Sequence, residues 1–137
     1  MKTVFVDSSV LFSAVSSVTG GSAKLFTLQT ISLITSRVVL AEVERNIRGK
    51  LAEYHLERFF LLVEYIKVLD IQPDDDLIEE AKLVIVPKDA VILAQAKRAK
   101  TDVLVTLDRK HFFTTKVFHF VSPQKVVTPK ILLEEIM

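Results

Sequence analysis

The chain contains no cysteine. That excludes a disulfide-stapled scaffold and any thiolate zinc centre, and it agrees with a reducing compartment. The three histidines, His55, His111 and His119, are scattered, and no two stand at the spacing of a zinc-ligating pair. Asparagine occurs once, as Asn46, a scarcity met in heat-adapted proteins. Neither sign of charge is in excess: 18 Lys and Arg stand against 17 Asp and Glu, for a net charge of +1. A strongly basic chain would point to nucleic acid by charge alone. Here a cluster of acids can cancel basic residues placed elsewhere, so the balance neither supports nor excludes that partner. No apolar run reaches the roughly 18–20 residues needed to span a bilayer. The opening MKTVFVDSSV carries an acid inside its apolar run, unlike a secretory leader. The expectation is a soluble cytoplasmic protein without a membrane partner.

What is present suits one globular domain over residues 1–137. Half of the residues are apolar, enough for a sizeable core at this length. Strand and helix patterns alternate. Thr3–Asp7 reads as a strand buried on both faces, and Ile31–Thr35 as a second strand. Ser8 can cap a helix to Ser16, and Ser22 another to about Thr30. From Arg37 a stripe of Val39, Val43 and Ile47 predicts a helix that Gly49 ends or bends. A further helix is expected over Ala52–Lys67, then a strand at Val68–Ile71 before Pro73. Asp74, Asp75 and Asp76 open a helix to about Leu83, where acids suit the helix dipole. Asp89 opens another to about Lys100. Asp102–Leu107 and Val117–Val121 read as strands, and Thr128 caps a last helix. Strands separated by helices imply βαβ units and a mostly parallel sheet. Ligands of such sheets bind at the carboxyl ends of the strands.

Two acids stand at that edge. Asp7 directly follows Val4-Phe5-Val6, and Asp108 follows Val103–Leu107. Asp89, at a helix start, reaches the same edge, although a helix cap would explain it alone. Glu42 and Glu44 both border the apolar stripe of their helix. Glu44 has an ordinary role at hand, pairing with Arg48 at i,i+4. Carboxylates brought together repel, and at least one keeps its proton unless a cation intervenes. Hard oxygen donors select Mg²⁺ or Mn²⁺, one or two ions, which can activate water and neutralise charge on a scissile phosphate. Lys88, Arg109 and Lys110 flank two of these acids and read either as solvated surface or as groups that hold substrate phosphates. Phe112 reads as core, with base stacking the alternative.

Four segments carry a family likeness. VFVDSSVLFSA resembles the opening of a PIN domain, SRVVLAEVERNI its second motif, PKDAVILAQAKRAK its third and DVLVTLDRKHF its fourth. The short form is similar to VapC-like toxins and other small prokaryotic PIN proteins. The resemblance implies a three-layer α/β/α sandwich around a mostly parallel sheet. It puts Asp7, Glu42, Asp89 and Asp108 on the four acidic metal positions, Glu42 by its spacing from Ser36. It puts Ser9 and Thr106 on polar positions that support them. The implied activity is a Mg²⁺- or Mn²⁺-dependent ribonuclease that leaves 5′-phosphate and 3′-hydroxyl ends. The implied partners are an RNA substrate, a small antitoxin that covers the site, and a second copy of the chain. The consecutive Phe59, Phe60, Leu61, Leu62 and Val63 exceed one helical stripe and would suit such a homodimer, or else a helix buried within the monomer. Two other classes remain: a PIN-like module that binds RNA or protein without cutting, and a receiver-type phosphoacceptor. The latter would want an acidic pair at the end of strand one, where only Asp7 stands.

Overall fold

The computed structural model describes residues 1–72 and 74–137. Along them run β1 (Lys2–Val6), α1 (Ser8–Ser16), α2 (Gly21–Leu25), β2 (Ile31–Ser36), α3 (Arg37–Lys50), α4 (Tyr54–Val63), β3 (Ile66–Leu69), α5 (Asp75–Lys82), α6 (Pro87–Ala99), β4 (Val103–Val105), α7 (Arg109–Phe112), α8 (Thr115–Val121), β5 (Lys125–Val127) and α9 (Pro129–Ile136). The strands form one sheet in the order β3-β2-β1-β4-β5, and every pairing among the described residues is parallel.

β1 and β4 carry short uninterrupted apolar runs. Val4, Phe5 and Val6 of β1 and Val103, Leu104 and Val105 of β4 are buried on both faces, which is why they lack polar alternation. The chain winds from β1 outward to β2 and β3, then returns to β4 on the other side of β1. Right-handed crossovers therefore put α1–α4 on one face and α5–α8 on the other. The contacts agree for α1–α8: α1 packs on α2, α3 and α4, and α6 on α5 and α8; α9, which follows the last strand, packs back on α2. This is the expected three-layer arrangement, with a sheet that is wholly rather than mostly parallel. The reversal of winding lies between β1 and β4, so the crevice of the sheet opens where those two strands end.

Side-chain caps set several helix starts. Ser36 accepts from the Val39 amide, Asp74 from Leu77, Thr114 from Val117 and Thr128 from Ile131. Asp74 thus caps a helix, with Asp75 and Asp76 in its first turn. Several boundaries differ from the sequence expectation, among them the strand at Asp102–Leu107, which is only Val103–Val105. Val117–Val121 is helical, because Val117 and Val121 bury one face at i,i+4 while Phe118 and His119 point outward; the true last strand is the three-residue β5. The helix expected over Ala52–Lys67 stops at Val63, and β3 already begins at Ile66. The second helix is only Gly21–Leu25, with Gly20 rather than Ser22 at its cap position, and Thr27 then closes a turn by donating to the Lys24 carbonyl. Ser8 does not cap α1; Asp7 holds that position without capping through its side chain. Pro73 lies outside the described residues.

Candidate metal centre

Asp7 leaves β1 where the sheet ends. Its backbone amide still donates to the Val105 carbonyl of β4 (3.1 Å), so its side chain emerges at the seam of the two central strands. The carboxylate is almost wholly buried. Its Oδ2 accepts from Ser9 Oγ and from Thr106 Oγ1, each at 2.7 Å. Both hydroxyls are themselves held: Ser9 Oγ accepts from the Leu107 amide (3.0 Å), and Thr106 Oγ1 from the Asp108 amide (3.1 Å). Ser9 and Thr106 thereby tie the end of β1 to the loop after β4 through one carboxylate. Burial pushes the Asp7 carboxyl above the usual aspartate range, opposed by the Ser9 and Thr106 hydroxyls and by the Ser8 and Ser9 amides.

The other acids arrive from separate elements. Pro87 starts α6, so Asp89 sits one turn in, behind Val86 at the cap position. Asp108 caps the one-turn helix α7, its Oδ1 accepting from the His111 amide (3.2 Å). Glu42 stands on α3. Asp7, Glu42, Asp89 and Asp108 all line one open cleft of about 200 Å³, together with Ser8, Ser9, Phe12, Asn46 and Lys88. Glu44 does not line it; its carboxylate pairs with Arg48 at 3.1 Å. Of the basic candidates only Lys88 reaches the cleft wall. Arg109 lies over the Phe113 ring, and Lys110 is exposed on α7. Phe112 is buried in the core, which anchors α7.

Two residues at the site escaped sequence reasoning. His111 Nδ1 lies 2.8 Å from Asp108 Oδ2 and 3.8 Å from Asp89 Oδ2. These three side chains each offer a ligand atom within 4.8 Å of the others. The spacing D-x-x-H at a helix start was the available signal, since i and i+3 share a helix face. Asn46 was also missed; it stands one turn beyond Glu42 on α3.

The charge balance of the cleft is incomplete. Asp89 Oδ2 is buried and has no hydrogen-bond partner. Burial raises the Asp89 carboxyl above its ordinary range; Lys88 opposes this, the charges of Asp108 and Asp7 add to it, and His111 opposes it. An orphaned buried carboxylate oxygen among other acids is costly alone and is satisfied by a cation. The donors are carboxylate oxygens with one imidazole nearby, a set that fits a divalent ion.

A family model described as the PIN domain matches residues 4–116. No curated protein matches the chain closely enough to count as a relative. Among solved structures, VapBC2 from Rickettsia felis, bound to a DNA fragment from its promoter, aligns with a TM-score of 0.71 at 14% identity, over 92% of this chain and 98% of that one. VapBC-1 from nontypeable Haemophilus influenzae gives 0.61 at 18% identity, over 93% and 98%. VapC20 from Mycobacterium tuberculosis, a sarcin–ricin loop cleaving toxin, gives 0.58 at 17%, over 78% and 91%. At such identities these likenesses establish a shared fold.

Proposed function

Because the chain belongs to the PIN domain family, we propose that it is a metal-dependent endoribonuclease acting in the cytoplasm as the toxin of a toxin–antitoxin pair. One observation carries this reading: acids from the ends of β1 and β4, from α3 and from α6 line a single cleft, and a buried oxygen of one of them lacks a partner. Asp7, Glu42, Asp89 and Asp108 would hold one or two Mg²⁺ or Mn²⁺ ions. A bound ion of this kind supplies Lewis acidity, lowering the pKa of water and offsetting the charge of the phosphate.

The chain's own residues do the rest. Ser9 and Thr106 donate to Asp7 and so fix the direction of its free lone pairs. Lys88, at the cleft wall, offers its ammonium to an approaching phosphate; Arg109 and Lys110, outside the wall, would meet the RNA strand farther along. Attack by water breaks the P–O3′ bond, leaves the phosphate on the 5′ side of the downstream piece, and returns a proton to the 3′ oxygen. RNA as substrate is supported by the family and by the activity named for the VapC20 neighbour. The expected result is cleavage of single-stranded or looped RNA with added Mg²⁺ or Mn²⁺, complete loss under EDTA and recovery on readdition. Divalent binding without any cleavage of diverse RNAs would favour a binding module that does not cut.

The proposal includes two protein contacts. A small antitoxin would cover the cleft, and a short neighbouring gene with a DNA-binding pattern would support it. A homodimer is supported by α4, where Phe59 and Leu62 face the core while Phe60 and Leu61 are 52% and 61% exposed. Phe60→Glu is then expected to shift a dimer to monomer in sedimentation equilibrium; a wild-type protein that is monomeric at high concentration sinks that part.

A further inference from the structure

We infer that His111 supplies a nitrogen ligand to the metal centre, making it a mixed oxygen–nitrogen site that favours Mn²⁺ and Zn²⁺ over Mg²⁺. The inference rests on the metal-centre reading above and deepens it. An all-oxygen acidic site has no means of preferring these ions beyond size and charge. An imidazole changes that, because nitrogen donors raise affinity along the series from Mn²⁺ toward Zn²⁺, whereas Mg²⁺ gains little from them.

The geometry begins with local structure. Asp108 caps α7, and the buried Phe112 pins that single turn to the core. Residues three apart on such a turn face the same way, so His111 is aimed at the carboxylate that caps its own helix. The pairing is close, at 2.8 Å from Nδ1 to Asp108 Oδ2. Asp89 Oδ2, delivered by the first turn of α6, completes the triangle at 3.8 Å. Two ligand atoms on one ion, each about 2.1 Å from it, are separated by roughly 3.0 Å when adjacent and by no more than about 4.2 Å when opposite. Those two separations lie close to or within that span, and all three ligand atoms lie within 4.8 Å of one another, so small side-chain adjustments bring them onto one ion.

Two further observations point to an ion rather than to a simple hydrogen bond. The Asp89 oxygen facing the imidazole is buried and otherwise unpartnered. A histidine that served only to steady Asp108 would leave that oxygen unexplained, since 3.8 Å is too long for a hydrogen bond. The three side chains are each about three-quarters or more buried, Asp89 most of all. The corner they form is thus sheltered, whereas His55 and His119 have no carboxylate within ion-pair distance among the described residues.

The test compares wild type, His111→Ala and His111→Gln as full-length chains, with circular dichroism and melting to show that each folds. Mn²⁺ bound to wild type is expected to show strong ¹⁴N coupling in pulsed electron paramagnetic resonance, and both variants are expected to lose it. Calorimetric titration is expected to show Zn²⁺ and Mn²⁺ affinity falling at least about tenfold in both variants, with Mg²⁺ affinity kept. Equal weakening of all three ions would mean that His111 merely positions Asp108, and so would full rescue by glutamine, which can donate but ligates poorly; either overturns the inference. Mn²⁺ bound with no nitrogen coupling in wild type overturns it alone. Failure of wild type to bind any divalent ion overturns both it and the metal-centre reading.

Discussion

Asp7→Asn is expected to lower RNA cleavage by on the order of a hundredfold to a thousandfold while raising the melting temperature of the metal-free protein at pH 7. The two effects share one cause. Asn keeps an oxygen that can accept from Ser9 and Thr106, so the seam between β1 and β4 stays closed. It loses the charge that would hold a cation. In the metal-free protein that charge is a liability, because burial holds the Asp7 carboxyl above the 3.8 of an ordinary aspartate. A carboxyl whose folded pKa is raised favours the fold fully below the unfolded value. That contribution is lost as pH rises through the folded value. Wild type therefore loses stability over a window that begins near 3.8 and extends upward past the raised value, and Asn does not. Removing Asp7 also removes one of the charges that raise Asp89. The difference in melting temperature should vanish at the acid end of the window and grow toward neutrality. Adding Mn²⁺ should reverse its sign, because a ligand stabilises the form that binds it. A variant that cuts RNA as well as wild type, or one less stable than metal-free wild type at pH 7, would contradict this account of Asp7.

The second large effect concerns the core beneath that site. Phe5 is fully buried in β1, two residues before Asp7 and paired with Leu104 of β4. Phe5→Ala is expected to cost about 3–5 kcal/mol, which lowers the melting temperature by roughly 10–20 °C at this size. Phe60 supplies the comparison: half exposed on α4, its change to alanine should stay within about 0.5 kcal/mol in a monomeric preparation. Urea melts of the two variants measure both. A Phe5→Ala protein within 1 kcal/mol of wild type would mean that the layers close over the cavity, and that the central strands do not set the site as rigidly as their burial suggests.

Particular residues explain which elements were legible in advance. β1 and β4 were, because strands buried on both faces write an uninterrupted apolar run. The cap Thr128 was, since a short polar side chain before an apolar stripe suits that position, although the same reading failed at Ser8 and Ser22, where Asp7 and Gly20 hold the cap positions. β5 was hidden: three residues long, with only Val127 buried, it offers no pattern to find. Val117–Val121 was misread because five residues rich in β-branched and aromatic types satisfy a strand and a helix about equally. Tertiary packing on α6 decided between them. In the cleft, Asp7 and Asp108 could be picked out by where their strands end. Glu42 and Glu44 could not be separated by residue pattern, since a helix stripe has soft edges; the fold turns Glu42 to the cleft and gives Glu44 to Arg48.

The amino-acid order by itself determined an alternating α/β chain, a parallel sheet, and acids at the ends of two strands with uninterrupted apolar runs. Those are local matters: periodicity, capping and the position of a charge relative to an apolar run act over a few residues and can be read one segment at a time. Only the tertiary structure decided that β4 lies beside β1, so that residues about a hundred positions apart share one carboxylate through Ser9 and Thr106. It alone placed His111 against Asp89 and left an Asp89 oxygen buried without a partner. Burial and electrostatic repulsion depend on distance in space, and the winding of the sheet sets that distance.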